Sequence, residues 1–577
     1  MTKKIVKKTI KKPAVCGNAT CGSCAKGHAT ATGPYTSTVM EHFKAPHNYG
    51  KIEDPDGVGK VGNLVCVLPA EKIHLTNEIK PLEDIKTGEF VLSHTGFSNK
   101  IERAVSRAYR GKIIELKNKL GTVNLTPEHL VYAIKPPKGD KFLRTKYRKQ
   151  LMPAWYHSTH LEKGDIALYP IPRDIKKTEF IEIDIPKEKY DFKSIEIPKR
   201  IKLDKDLLKL FGYFLAEGSI SEGKCNNYLI FTLNIEETDI VEDIKKSAKK
   251  MGLDATVKEI PERKTVTVSL YSAILSRYFK QLFGKYSYGK SIPDFLMVLS
   301  PEMQKHLIYG MWKGDGYVNL DRDGARAGFV TVSYEIAQQM KILLLRQGII
   351  PSIYREEQKI VRGINHRDSY RIHVGQRESL IRLCDILGIK YEPKSFVREK
   401  SWIDERYLYT AISDVKEYDY SGKVCNLEVD KAHSFTTESF CVHNCGDVMW
   451  LYIKVAKNKA GKETVKDIKF ETFGCVAAIA TSSAITDIAK GMTLDEAYKI
   501  DKKAIVDKLG GLPPVKLHCS VLAADALVEA VYDYFTKQKR EIPAGLEEKH
   551  QRIKKEKDVV EEKYKDWTDK EEEIHNG

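Results

Sequence analysis

The chain has 577 residues, 42% of them hydrophobic, with a formal charge of +16 at neutral pH. Its length predicts about three or four domains. The sequence contains no run of 18 apolar residues, which excludes an ordinary membrane helix. The start lacks the apolar stretch of a secretion signal, so a cytoplasmic location is expected. Eleven cysteines are too sparse for a disulfide scaffold and point instead to metal or nucleophile chemistry. Residues 1–65 carry +6, residues 66–444 carry +11 and residues 445–577 carry −1. The basic middle fits a polyanion such as nucleic acid, or a solvated surface.

In chain order, Met1 to Pro13 holds six lysines and no acid, as in a solvated arm. Cys16, Cys21 and Cys24, with His28 nearby, have a spacing that can hold a metal; incidental cysteines are the alternative. Residues 35–65 predict a short helix presenting Val39 and Phe43, then turns at Pro46-His47-Asn48 and Asp54-Pro55-Asp56-Gly57. Two later helical segments, Leu207–Gly218 and His306–Gly316, share a pattern. Gly212 matches Gly310, Ala216 matches Gly314 and Glu217 matches Asp315. Small residues four apart let two helices pack backbone to backbone. That brings the two carboxylates together, where a shared hard cation relieves their repulsion.

Beyond residue 444, strands are predicted at Val448–Val455 and Thr464–Phe473 around a turn at Asn458–Gly461. Helices are predicted over 475–490 and 494–508, and from Cys519 to about Lys539. Residues 542–577 read as a charged tail, either a solvated helix or an extension. Cys445 with Asp447, Cys475, and Cys519 with His518 make a mixed soft ligand set suited to iron–sulfur or zinc.

Residues 35–65 joined to 445–540 resemble an iron–sulfur cluster assembly scaffold of the IscU/NifU N-domain type. The matching strings are Met40-Glu41-His42-Phe43, Pro46-His47-Asn48, Gly62-Asn63, Cys445-Gly446-Asp447-Val448-Met449, Phe473-Gly474-Cys475 and Leu512 to Ser520. The resemblance implies that Cys445, Asp447, Cys475, His518 and Cys519 hold a nascent cluster, [2Fe–2S] foremost, or Zn2+. It implies a cysteine desulfurase as sulfur donor. It also implies a DnaK-type heat-shock chaperone and co-chaperone that bind Leu512, Pro513, Pro514, Val515 and Lys516, although that segment reads equally well as a proline turn before a helix.

The intervening 379 residues begin with Cys66 and end Val442-His443-Asn444, directly before Cys445. The Cys66 thiol can attack the preceding carbonyl and turn the Val65–Cys66 amide into a thioester. Cys445 can take over that acyl group, Asn444 can cyclise on its own backbone and cut the chain, and His443 can pass a proton to the departing amine. These ends resemble those of an intein. Cys66-Val67-Leu68-Pro69 leading to Leu82–Glu89 resembles the opening strands, and Thr126-Pro127-Glu128-His129 resembles the internal Thr-x-x-His block. The resemblance implies that His129 hydrogen-bonds and distorts the amide before Cys66. Val424–His433 resembles the penultimate block and implies a contribution from His433. Asn426 stands where an Asp often assists the first steps. An all-β splicing domain working without a cofactor is implied.

The paired helices resemble a LAGLIDADG homing endonuclease. That resemblance implies that Glu217 and Asp315 hold Mg2+ for hydrolysis of double-stranded DNA, with Lys290 as a catalytic lysine. The +11 charge of the insertion fits phosphate contacts.

The predicted architecture is an α+β scaffold domain (a small antiparallel sheet with helices) split by an all-β splicing domain. The splicing domain in turn carries a pseudo-two-fold α/β endonuclease. The boundaries are 1–34 for the basic arm, 35–65 with 445–541 for the scaffold, 66–202 with 396–444 for splicing, 203–395 for the endonuclease and 542–577 for the tail. The expected function is that of a precursor: residues 66–444 excise themselves and ligate Val65 to Cys445. No membrane partner is expected. The alternatives are a zinc-binding scaffold homologue with an inactive nuclease, and a chain that is chiefly a selfish DNA endonuclease.

Overall fold

The computed structural model describes residues 35–554 except 63–64, 77, 137–150, 189–194, 223–226, 321–324, 362–363, 394–399, 444–446 and 514–515. Cys16, Cys21, Cys24, Asn444, Cys445, Pro514 and Val515 therefore lie outside the described residues, as does the side chain of His518. The chain divides into two compact units. One is built from its two ends, up to Val61 and from Met449 to Lys555, and the other spans Gly62–Val448.

In the first unit, strands Gly57–Gly62, Val448–Lys457 and Glu463–Phe473 form a sheet with Val448–Lys457 in the middle. The last two are joined by a tight turn in which the Gly461 N–H meets the Asn458 carbonyl at 2.9 Å and Gly461 takes φ +75°. Helices Ser37–Lys44, Val476–Ala489 and Leu517–Lys537 bury Val39, Leu451, Ile468, Ile485, Leu527 and Val531 in one core. Gly57 and Gly59 allow the long helix to lie directly on the edge strand. A Cβ at these positions would meet the Ala530 and Ala526 carbonyls at 2.2 and 1.9 Å.

Two predicted boundaries change. The helix expected over 494–508 is two helices, Leu494–Ala497 and Lys502–Lys508, because Asp501 caps a new start by accepting the Ala504 N–H at 2.9 Å. The charged tail does not begin free of the core, since residues 544–554 are helical and Leu546 is fully buried. On that helix His550 stacks on Tyr532 with ring centroids 3.6 Å apart. The high charge density of the segment hid its few apolar anchors.

The second unit contains a strand-rich part and a helical part. In the strand-rich part, Ser98–Lys117 pairs antiparallel with Asp414–Val429, from Lys117 opposite Asp414 to Ile101 opposite Val429. A second sheet interleaves Ile166–Pro170 and Leu130–Ile134 with Tyr407–Ala411, Cys441–His443 and Ser434–Thr436. Segments from both sides of residues 203–395 thus share sheets and one core, including Val67, Leu125, Val131, Leu427, Phe435 and Val442.

Residues 203–395 hold two halves built on helix–strand–strand–helix–strand–strand–helix, the second with an added hairpin, Lys359–Val361 and Ile364–His366, before its last sheet strand. The halves start at helices Lys205–Ala216 and Pro301–Asp315. In each, the third and fourth strands swap places in the sheet: 218–222, 227–234, 265–270, 255–260 in one and 316–319, 326–331, 369–374, 352–356 in the other. The two leading helices cross at Gly212 and Gly310. A Cβ on Gly310 would lie 2.3 Å from the Lys209 carbonyl, and one on Gly212 would lie 2.5 Å from the Leu307 carbonyl. Gly310→Val is therefore expected to force the helices apart at a cost of at least about 1–3 kcal/mol. A thermal melt unchanged from that of the parent chain would refute this close crossing.

Candidate functional site

Cys66 emerges from Val65 fully buried, and the next residue, Val67, bridges to both Leu125 and Cys425. The amide N–H between Val65 and Cys66 donates to Thr126 Oγ1 at 2.9 Å. His129 Nδ1 lies 3.0 Å from the Cys66 carbonyl oxygen. Thr126 therefore holds the amide before Cys66, while the imidazole reaches the carbonyl after it. A carbonyl only accepts, so Nδ1 carries the proton and Nε2 keeps a lone pair. That Nε2 is buried without a hydrogen-bond partner among the described residues. Burial pushes the His129 pKa down to about 3, so the ring is neutral at physiological pH. Burial also pushes the Cys66 thiol up to about 12, with Arg107 beside it acting in the opposite sense.

The other end of the insertion converges on the same place. Val442 pairs with Val131, two residues beyond His129, and the charge of His443 is felt at His129. The His443 ring meets Trp155 edge-on at 4.8 Å. Asn426 is buried with its side-chain oxygen accepting the Leu427 N–H at 2.8 Å. His433 sits in left-handed backbone at φ +48°. The turn ahead of His443 is gripped by the helix Tyr334–Arg346. Tyr334 donates to a Glu438 carboxylate oxygen at 2.9 Å, Gln338 donates to the other, and the fully buried Lys341 donates to the Glu438 carbonyl at 2.8 Å.

At the helix crossing, Glu217 and Asp315 end the two helices side by side. A Cβ on Gly314 would come within 3.0 Å of Glu217 Cγ. Desolvation first, then the charge of Asp315, raises Glu217 to about 7, and desolvation raises Asp315 to about 6. Lys290 is buried and donates to the Phe214, Leu215 and Gly218 carbonyls at 2.6, 3.1 and 2.7 Å. It thus ties down the end of the helix that carries Glu217, and its pKa falls to about 8 through burial.

In the first unit, Cys475 is the N-cap of Val476–Ala489 and Cys519 lies in the first turn of Leu517–Lys537. Their Sγ atoms are 3.6 Å apart, and both residues are buried and form no disulfide. Two thiolates on one tetrahedral ion, at about 2.3 Å each, stand about 3.8 Å apart. The pair therefore needs little movement to share a metal. Asp447 is partly buried one residue before Val448–Lys457. The Lys516 N–H closes a turn onto the Pro513 carbonyl at 2.8 Å, and Leu517 beyond it is exposed.

Residues 423–541 match the NifU-like N terminal domain family, and residues 302–388 match the LAGLIDADG-like domain family. The chain carries an IscU/NifU-type scaffold domain with a LAGLIDADG insertion. It is 58% identical over 93 residues to the iron-sulfur cluster assembly scaffold protein IscU 1 of Archaeoglobus fulgidus, covering 16% of this chain and 58% of that protein. A longer match, 29% identical over 448 residues, is to an uncharacterized protein of Methanocaldococcus jannaschii and covers 71% of this chain and 54% of that one. The chain thus spans a little over half the length of these curated relatives. Among solved structures, the homing endonuclease I-DmoI in complex with DNA and Mn aligns to 33% of this chain and 99% of its own, at 12% identity and a TM-score of 0.26.

Around the LAGLIDADG insertion, sequence reading missed Arg107, Trp155 and the Glu438 grip. All three act through contacts between segments far apart in sequence, and no local pattern marks them.

The raised carboxyls set a pH sign for the LAGLIDADG insertion. Between about pH 4.5 and 7 the unfolded chain releases the Glu217 proton while the folded chain retains it, so stability falls as pH rises through that window. Without divalent ions, Glu217→Gln should therefore melt higher than the parent at pH 8. Added Mg2+ should raise the melting temperature of the parent more than that of the variant. Equal Mg2+ responses in calorimetry would sink the shared-cation assignment.

Proposed function

We propose that residues 66–444 excise themselves by protein splicing and join Val65 to Cys445, leaving a 198-residue iron–sulfur scaffold. The observation that carries this reading is the buried Val65–Cys66 amide with its N–H on Thr126 and His129 at the adjoining carbonyl. The Cys66 thiol adds to the Val65 carbonyl, and the amide nitrogen leaves as the Cys66 amine, giving a thioester. The Cys445 thiol then displaces Cys66 from that acyl group. The Asn444 side-chain nitrogen attacks its own backbone carbonyl and releases the Cys445 amine as a succinimide forms. That amine finally takes the acyl group from sulfur and restores an amide. Each step conserves atoms and uses no cofactor.

His129, with Nδ1 at the Cys66 carbonyl, sits beside the first step, and His443 suits proton transfer to the departing amine at the third. Arg107 compensates in part for Asn426, because a guanidinium favours the thiolate where a carboxylate is missing. Glu438, held by the helix Tyr334–Arg346, fixes the turn ahead of His443.

The same insertion is proposed to cut double-stranded DNA. Glu217 and Asp315 fit a hard divalent cation, since both are desolvated acids that converge at one helix crossing. Mg2+ bound there would supply charge neutralisation for phosphodiester hydrolysis. Lys290 keeps the Glu217 helix end in place. For the mature scaffold, Cys445, Asp447, Cys475, His518 and Cys519 are proposed to hold the cluster cargo. A cysteine desulfurase would supply sulfur, and a DnaK-type chaperone would engage Leu512–Lys516. A cytoplasmic location, where thiols stay reduced, would keep the cysteine ligands available.

Expression of the full chain should yield products of 198 and 379 residues by mass analysis. Cys66→Ala with Asn444→Ala should leave the precursor whole. Arg107→Ala should slow thiol-induced cleavage at Val65–Cys66 by roughly tenfold, as loss of one charge-assisted contact predicts. Because the Cys66 thiol titrates near 12, the same cleavage should speed up as pH rises from 7 to 9. A parent chain that stays full length with intact junctions would overturn splicing.

A further inference from the structure

The scaffold unit holds a second group of side chains of metal-ligating type, well away from its cysteines. His42 lies on the helix Ser37–Lys44, His47 in the turn that follows it, and Asp487 near the end of the helix Val476–Ala489. One nitrogen of each imidazole and one carboxylate oxygen lie within 4.8 Å of one another. Asp487 is twelve residues along its helix from Cys475, which is a rise of about 18 Å. The group is therefore distinct from the thiol pair.

His42 and Asp487 are each held by an outer partner, and His47 is held by Asp487 and through its backbone. His42 is buried, with Nδ1 2.8 Å from Ser483 Oγ, and the same hydroxyl accepts the His47 backbone N–H at 2.8 Å. His47 Nδ1 lies 2.6 Å from Asp487 Oδ2. The Asn48 amide donates to Asp487 Oδ1 at 3.2 Å and to Thr486 Oγ1 at 3.1 Å. Asn48 adopts left-handed backbone at φ +56°, a conformation asparagine tolerates better than most residues, and this turns His47 back onto the helix. The two rings are tilted by 52° to one another, with centroids 4.7 Å apart. Burial, and then the neighbouring His47, lowers the His42 pKa, which keeps that ring neutral and able to ligate. The His47 side chain is 48% exposed, which leaves an entry path and room for water ligands.

We infer that His42, His47 and Asp487 bind a first-row divalent transition metal, such as Zn2+ or Fe2+, at an open site on the scaffold unit separate from its cysteines. Two imidazoles and one carboxylate match the borderline character of these ions. Ser483 and Asn48 play the outer-shell part that orients ligands in such sites. The plain alternative is a His47–Asp487 ion pair with no metal affinity.

Cobalt(II) titration of the full chain carrying Cys475→Ser and Cys519→Ser separates the two. Thiolate ligands, including any in the N-terminal arm, announce themselves by near-ultraviolet charge transfer. A nitrogen–oxygen site shows only weak visible bands. The expected result, beyond any Co2+ taken up at Glu217 and Asp315, is one further equivalent with visible bands and no accompanying charge transfer. His47→Ala and Asp487→Asn should each abolish these bands, and Asn48→Ala should weaken binding by about tenfold. Circular dichroism of each variant checks that it is folded. The inference is overturned if these bands never appear, or if they persist unchanged in folded His47→Ala.

Discussion

The second unit depends on one interaction, the long antiparallel pairing of Ser98–Lys117 with Asp414–Val429. These strands lie about three hundred residues apart in sequence, with the whole LAGLIDADG insertion between them. Closing so large a loop is entropically expensive, although the cost grows only logarithmically with length. The ladder of backbone hydrogen bonds and the shared core beneath it offset that cost. Val67 bridges to Cys425 of this pair, while Val442 pairs with Val131, so both ends of the insertion are tied to the strand-rich part.

Desolvation is the common electrostatic theme of that unit. It raises Cys66 to about 12 and Glu217 to about 7, and lowers His129 to about 3 and Lys290 to about 8. In each case the neutral form is favoured, and a neighbour placed by the fold decides how the group is used. Arg107 lies beside the thiol while Thr126 holds the Cys66 backbone, the partner acid sits beside Glu217, and helix-end carbonyls receive Lys290. Low water access strengthens each of these contacts and makes each displaced partner costly.

Close backbone approach does comparable work in both units. Gly57 and Gly59 let a helix lie on a strand edge, and Gly212 and Gly310 let two helices cross with their acids adjacent. The glycine pairs at the helix crossing were legible as a repeat, because the spacing recurs 98 residues apart with an acid at the same offset. The glycines of the strand carry no such signature, since a glycine in a turn-rich stretch reads first as a turn.

The sequence by itself marked Cys66 and Asn444-Cys445 as the frame of the insertion, and Glu217, Asp315, Cys475 and Cys519 as candidate site residues. Those assignments rest on residue identity in a fixed order, which survives without coordinates. It also marked the strands and most helices of the scaffold, because their hydrophobic periods are strong. Only the tertiary structure decided which group holds which atom. It gave the Val65–Cys66 N–H to Thr126, turned His129 to the next carbonyl, and placed Lys290 on helix-end carbonyls. It also put Arg107 beside the thiol, split the helix at Asp501, and drew Leu546 into the core. Each of these depends on a partner distant along the chain, and one-dimensional patterns do not encode which distant residues will meet.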